Sequence, residues 1–403
     1  MIISIWLWGC QLNEPEAKVP DVSDSIEVYS KQPTYLQPIF PKSVPTGLSS
    51  LSSASCGECH TEIYNEWSIS THSYAWTDLQ FQAELKKPTQ NGGNVEWMCV
   101  RCHTPYWDQL PQLVVDLSKG LDFAATIPNP MFDSELREEG VGCISCHLGE
   151  GVILGPTGTA NAPHPVQKSE ALLKPEACNT CHQAEAYFPD QNLACVFSTG
   201  EEHAASPQWK DGQSCQSCHM PTVERPTVSG GPVKSNRRHF FGGSRIPKSK
   251  AHAKDIEQMA EYYKHGLNVS IQPFDPSNPV LRIDYENANA GHMLPAGDPE
   301  RFIRIYATVT DSNDRVVAHR ELKIGSIYQW YPTVKLLSDN RLAPKEKRSI
   351  EIDLSFVDSG VFDLKVKAEK WRITEENLVY HGLENILPSH VTFLKLDEKI
   401  TIP

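Results

Sequence analysis

The sequence predicts a mixed fold, in which a mainly α-helical and irregular N-terminal part is followed by a C-terminal antiparallel β-sandwich of immunoglobulin-like outline. Three observations lead there. Ten of the twelve cysteines fall into five copies of one C-x-x-C-H spacing between residues 53 and 250. After Gly266 the apolar period changes from helical to two. Ahead of the motifs, residues 11–52 are rich in Pro, Ser and Asp/Glu.

Residues 1–10 read as an apolar run ending in Leu7-Trp8-Gly9-Cys10, too short to span a bilayer. This has the form of a bacterial lipoprotein signal, in which Cys10 would become the lipidated first residue. No Lys or Arg precedes the run, and Trp8 stands where a small residue is usual. Gln11 after Cys10 is not the Asp associated with inner-membrane retention, which favours an outer-membrane anchor over an inner one on the periplasmic side. Residues 11–52, with "EPEAKVPDVSDS" and "GLSSLSSAS", cannot bury much apolar surface and are expected to form a flexible tether.

Residues 53–250 hold Cys56/Cys59-His60, Cys99/Cys102-His103, Cys143/Cys146-His147, Cys178/Cys181-His182 and Cys215/Cys218-His219. Cysteines at i and i+3 share one side of a helical turn. Both sulfurs can bond to the two vinyl groups on one porphyrin edge, and the adjacent His then offers its imidazole to the iron. This is the spacing of c-type haem attachment. Structural zinc would require paired C-x-x-C units, and a redox dithiol one such unit beside a strand and helix; neither explains a His in fifth place five times. Five covalently bound haem c groups are expected, forming much of the core. The first cysteines are 43, 44, 35 and 37 residues apart, too irregular for a solenoid. Cys195 has only Cys10 left to pair with and reads as a free buried thiol.

Residues 251–266, "AHAKDIEQMAEYYKHG", place Ile256, Met259 and Tyr263 at helical spacing with Gly266 as the stop, a linking helix. Residues 267–403 then alternate. "SIEIDLSF" sends Ile350, Ile352, Leu354 and Phe356 one way, and "FDLKVKAE" does the same with Phe362, Leu364, Val366 and Ala368. With "LNVSI", "VLRIDYE", "RFIRIYATVT", "RVVAHRELKI" and "HVTFLKL", about seven strands are expected.

Each haem iron needs a second axial ligand or is left open, and ten histidines lie outside the motifs. His72 is flanked by Trp67 and Trp76, aromatics suited to packing on a porphyrin. His164 precedes Pro165 after the third motif, His239 follows the fifth in "NRRHFFGG", and His292 sits in a turn, "NAGHMLPAGDPER", with no packing purpose of its own. His203 and His252 compete for the fifth place. His319, His381 and His390 read as surface side chains. Arg237 and Arg238 are candidates to neutralise propionates. Met220 directly follows His219 and cannot reach the opposite face of that haem, so mostly bis-histidine ligation and low potentials are expected. A continuous helix from His60 would carry His72 roughly 18 Å along its axis, which assigns His72 to a different haem from that on Cys56.

"CGECHTEIYNEWSISTH", "EEGVGCISCH", "CQSCHMP" followed by "RRHFFGG", and "NANAGHMLPAGDPER" resemble the multihaem cytochromes c related to the tetrahaem cytochrome that accepts electrons from hydroxylamine oxidoreductase. The resemblance covers residues 53–310 and implies distal ligation by His72, His239 and His292. The stretch Trp67-Ser-Ile-Ser-Thr-His72 is off the family's usual spacing, and there are five motifs here, not four.

A formal charge of −13 argues against nucleic acid and for redox partners with a basic docking patch. The expected function is electron transfer in the cell envelope, between donor and acceptor cytochromes or a membrane redox complex. An oligomer or filament of like subunits docked through the β-domain would be compatible with it. The alternative is an oxidoreductase in which one open iron acts on a small nitrogen or sulfur compound.

Overall fold

The computed structural model describes residues 20–402 apart from 88, 90, 160, 190 and 191. Cys10, and with it the expected export signal and lipid anchor, lies outside the described residues. Among the described residues, no helix is long and apolar enough to cross a membrane.

Helix α1 (Val22–Ser30) starts on Asp21, whose carboxylate accepts from the Ser23 and Asp24 amides while the Asp24 carboxylate accepts from the Asp21 amide. This capping box satisfies N–H groups that a helix start leaves orphaned. Tyr29 is fully buried, with its ring centre 6.2 Å from that of Trp97 and 6.1 Å from that of Trp107. Leu36 and Phe40 join the same cluster. The expectation of a flexible tether is therefore corrected from residue 20 onward. The segment is poor in apolar residues on average, but Val22, Val28, Tyr29, Tyr35 and Leu36 are placed so that all reach one core.

The motif segment is a series of short helices: α2 (Ser53–Gly57), α3 (Thr61–Ser68), α4 (Leu79–Leu85), α5 (Glu96–His103), α6 (Ser134–Glu138), α7 (Ile144–His147), α8 (Glu176–His182), α9 (Thr199–Ala204), α10 (Pro207–Lys210) and α11 (Cys215–His219). Isolated helices shorter than about 12–15 residues are marginal in water, so these depend on what they pack against. Four small strand pairs brace them. They are β1 (Gln112–Asp116) with β2 (Ala125–Pro128), β3 (Ile153–Gly155) with β4 (Val166–Lys168), β5 (Gln183–Phe188) with β6 (Leu193–Ser198), and β7 (Thr222–Pro226) with β8 (Val233–Arg237). Helix α3 stops at Ser68 and the chain turns through residues 69–77, so the continuous helix expected to reach His72 is not formed. The linking helix is also shorter than expected: α12 covers Ala253–Ala260, with Ile256 buried, and Gly266 instead lies at the entry to the first long strand.

The C-terminal part holds β9 (Leu267–Ile271), β10 (Val280–Asn287), β11 (Phe302–Thr310), β12 (Val316–Gln329), β13 (Lys335–Asp339), β14 (Lys347–Asp353), β15 (Gly360–Trp371), helix α13 (Glu375–Tyr380) and β16 (His390–Ile402). They form a three-stranded sheet, β14-β10-β9, and a five-stranded sheet, β13-β12-β11-β15-β16. All pairings in both are antiparallel. Ile283 pairs with both Ile350 and Ile271, and one core unites Leu281, Ile283 and Ile352 of the first sheet with Ile305, Ile324, Leu364 and Val366 of the second. The strand beyond the expected seven is β13, an edge strand exposed along its whole length, which has no buried face to leave a period-two trace. Phe356, expected to continue the inward face of β14, follows the end of the strand and is exposed.

Buried polar contacts join the two parts. Arg372, at the end of β15, gives Nη2 to both carboxylate oxygens of Asp78 at 2.6 and 2.8 Å and Nε to Gln80 Oε1 at 2.7 Å. Lys248 also pairs with Asp78. Burial pushes the Asp78 carboxyl up, but Lys248 and Arg372 together outweigh it and hold it below the usual carboxylate range. Gln80 and Asn377 donate to Glu300, and His381 meets Glu84 at 2.9 Å. His381 is therefore a buried seam residue, correcting its expected place on the surface.

Removing one partner of a buried pair strands the other charge. Arg372→Ala should cost roughly 3–5 kcal/mol in denaturant unfolding, whereas Arg315→Ala, at an exposed pair with Asp311, should leave the unfolding midpoint nearly unchanged. Glu300 supplies a pH signature, because burial, then Asp298 and Glu84, push it up to about 8. The folded chain keeps that proton to higher pH than the unfolded chain, so stability falls as pH rises between the two pKa values. Glu300→Gln should therefore match the parent near pH ~4 and melt higher than the parent near pH ~9.

Candidate haem sites

Each motif histidine ends or follows a short helical turn carrying its two cysteines. His60 Nδ1 lies 2.8 Å from Thr227 O, His103 Nδ1 2.5 Å from Ala75 O, and His147 Nδ1 2.7 Å from Leu154 O. A carbonyl oxygen only accepts, so Nδ1 carries the proton and Nε2 keeps its lone pair free. Metal-ligating histidines use this arrangement to fix tautomer and ring orientation.

Two histidines outside the motifs are held the same way, His239 Nδ1 by Arg237 O at 3.0 Å and His292 Nδ1 by Met293 O at 2.8 Å. Three imidazole pairs then share one spacing. The ring centres of His72 and His182, of His147 and His239, and of His219 and His292 are each 6.3 Å apart. Two metal–nitrogen bonds of about 2 Å each, plus roughly 1.1–1.2 Å from each nitrogen to its ring centre, sum to roughly 6.3 Å. One iron between two imidazoles fits that interval.

Burial, and then neighbouring imidazoles, lowers His72 to about 3. Burial with His147 nearby does the same for His239, and burial brings His219 and His103 to about 4. These rings are neutral at physiological pH, the state an iron ligand requires.

Among the described residues, the remaining candidates form no imidazole pair at the 6.3 Å spacing. His164 lies in the loop before β4, with a buried Nδ1 that has no hydrogen-bond partner. His203, on α9, meets the Trp209 ring edge-on at 5.7 Å. His252 stands beside Tyr74 and Asp255. Among the described residues, no second imidazole stands at the 6.3 Å spacing from His60 or His103. The ring stacked on His103 is that of Phe81, parallel within 3° at 3.6 Å.

The cysteines of different motifs meet. Cys56 lies beside Cys143, Cys102 beside Cys181, Cys178 beside Cys215, and Cys146 is near Cys181. All five motifs thus belong to one contiguous cluster, and the fourth touches both the second and the fifth. Cys195 is a free thiol on β6, pushed up by burial and by the nearby Cys99 and Asp298.

Sequence reasoning missed the carboxylate that organises the His239 side. Glu66, buried on α3, accepts from Arg225 at 2.8 and 2.9 Å, from Arg238 at 2.7 Å and from the His239 backbone N–H at 2.7 Å. Arg238 is therefore an ion-pair partner of Glu66. Arg237 donates to the carbonyls of Gln216 and Met220 at 3.0 Å, closing the end of α11. The signal available in sequence was only the run Asn236-Arg-Arg-His239.

Each turn places two cysteines and a histidine in the C-x-x-C-H arrangement that covalent haem c attachment would use. Residues 55–148 match the family model described as cytochrome c554 and c-prime. The fold is similar to that of a penta-heme cytochrome c552 from Thermochromatium tepidum, at 17% sequence identity over 88% of this chain and 100% of that chain, with a TM-score of 0.61. A second solved structure, the putative ApaA protein from Bordetella pertussis, aligns at 15% identity over 34% of this chain and 94% of that chain; its TM-score of 0.14 carries no argument. No curated protein matches. The family match and the shared fold support a multihaem c-type cytochrome.

Glu66→Gln should leave two buried guanidinium groups short of a counter-charge. A loss of roughly 3–5 kcal/mol in unfolding is expected, together with a perturbed His239 ring. Chemical denaturation and the His239 ring resonances check the two effects separately.

Proposed function

We propose that the chain carries electrons along five covalently bound haem c groups. The observation that carries this reading is the common 6.3 Å spacing of three imidazole pairs, each joining a motif histidine to one outside the motifs. Haem supplies one-electron chemistry that the side chains alone do not. Cys56/Cys59, Cys99/Cys102, Cys143/Cys146, Cys178/Cys181 and Cys215/Cys218 would hold the groups, with His60, His103, His147, His182 and His219 as proximal ligands. The distal ligands would be His72 opposite His182, His239 opposite His147 and His292 opposite His219. His292 comes from the loop between β10 and β11, so the C-terminal part would complete the fifth site. The two sheets with their single core support the expected β-sandwich and a domain division near residue 266.

The cysteine contacts support a branched path, running from the first motif through the third to the fourth, with the second and fifth meeting the fourth. An exported, lipid-anchored envelope protein exchanging electrons with redox partners remains the reading of residues 1–10 and of the acidic charge.

A second reading rests on His60 and His103, for which the described residues offer no imidazole at the 6.3 Å spacing. An iron open on that side would bind a small ligand and make the chain an oxidoreductase.

Haem count, EPR of the oxidised protein and carbon monoxide addition to the reduced protein test both readings. Five haems per chain by pyridine haemochrome, at least three of them low-spin and indifferent to carbon monoxide, are expected. A haem count far from five would sink the electron-transfer reading. A high-spin ferric signal with carbon monoxide binding would favour the enzyme, and five low-spin haems would remove it. His72→Ala should convert the haem on Cys178 and Cys181, and leave the one on Cys56 and Cys59 unchanged.

A further inference from the structure

One strained aromatic residue stands between the third and fourth sites. The loop after β8 is tied to α3 and to the turn that follows it. Glu66 on α3 accepts from the His239 backbone N–H at 2.7 Å, and Thr71, next to His72, gives its hydroxyl to the Phe241 carbonyl at 3.0 Å. Phe241 is held there at φ +45°, in the left-handed region that a bulky side chain rarely adopts. Among the described residues it is the one aromatic residue in that region. Such a backbone persists only where the surrounding contacts impose it.

What the Phe241 ring touches is two imidazoles. Its centre is 4.4 Å from that of His72, tilted by 36°, and 5.7 Å from that of His239, which it meets edge-on at 87°. These are the two rings that stand 6.3 Å from His182 and His147. They are held differently. The Arg237 carbonyl takes the Nδ1 proton of His239 at 3.0 Å. Among the described residues, no hydrogen-bond partner meets a ring nitrogen of His72. Its backbone is pinned instead, the N–H by Ser70 Oγ at 3.2 Å and the C=O by the Val141 amide at 3.0 Å. Those contacts fix the Cα but leave the ring to turn about χ2, a broad torsion in histidine.

We propose that Phe241 is the positioning residue of the His72 imidazole: its ring fixes the rotation of the His72 plane against His182, as backbone carbonyls do for the other oriented rings, and so fixes the ligand geometry at the haem on Cys178 and Cys181. The proposal rests on the haem reading above. A φ in the usual negative range would swing the Phe241 Cα–Cβ bond away from its present direction, so the left-handed backbone is what presents the ring to both imidazoles. Outer-shell contacts of this kind orient a metal ligand without touching the metal. The planes of His72 and His182 stand at 41°. That angle governs how the two ligands split the iron d-orbitals, and hence the anisotropy of a low-spin ferric signal.

The test is low-temperature EPR of the oxidised, haem-loaded full chain, with the signal of the fourth motif assigned by its loss in His72→Ala. Phe241→Leu should shift and broaden that signal, and leave in place those lost in His239→Ala and His292→Ala, because His239 and His292 keep their carbonyls. Phe241→Tyr should restore the parent spectrum. Phe241→Gly suits the left-handed backbone and so preserves the loop; the same shift in this variant assigns the effect to the missing ring and not to a displaced chain. An unaltered fourth signal in Phe241→Leu or Phe241→Gly, an equal change at all the low-spin haems, or a failure of Phe241→Tyr to restore the spectrum would overturn the proposal. A haem count far from five in the unaltered chain, or no low-spin signal lost in His72→Ala, would instead defeat the haem reading.

Discussion

The arrangement depends on keeping imidazoles neutral, dry and aimed. Backbone carbonyls take the Nδ1 protons of His60, His103, His147, His239 and His292, which leaves each Nε2 as the free lone pair. For His103, His147 and His239 burial makes the charged form costly, so neutrality follows from the same packing that fixes their direction. Two of the carbonyls come from segments distant in sequence, Thr227 for His60 and Ala75 for His103, while Leu154, Arg237 and Met293 are local to His147, His239 and His292. The short helices could not supply this orientation themselves, since a helical turn sets the cysteine spacing but leaves the ring rotation open.

The C-terminal sheets contribute by geometry. Loop 288–301 leaves the sheet core and brings His292 to His219, while Met293 N–H reaches Glu202 on α9 at 3.1 Å. Asp78 anchors the opposite side through Lys248 and Arg372. A ring held opposite another across a seam tolerates little sliding, and buried, directional ion pairs resist sliding better than apolar contact does. Glu300, Asp298 and Glu84 crowd the same seam.

Several features were open to reading from the chain. The C-x-x-C-H turns carry their chemistry in adjacent residues, and the alternation in β15 maps directly onto buried Phe362, Leu364, Val366 and Ala368. The fully exposed β13 left no period to find. Residues 20–40 were misjudged because average composition hid Tyr29 and Leu36, which matter only once Trp97 and Trp107 are in place. His72 was assigned to another motif on the assumption of a long helix. The chain turns after Ser68 instead, and His72 still faces His182.

By itself, the sequence determined the five C-x-x-C-H turns and the change from helical to two-residue period near Gly266, because each is written within a few neighbouring residues. Only the tertiary structure decided which of the ten other histidines face a motif, where Glu66 meets Arg225 and Arg238, and which motifs touch. Those properties depend on distances between residues separated by up to about two hundred positions. Local chemistry does not encode them; they follow from how short helices, held by carbonyls and buried ion pairs, come to rest against one another.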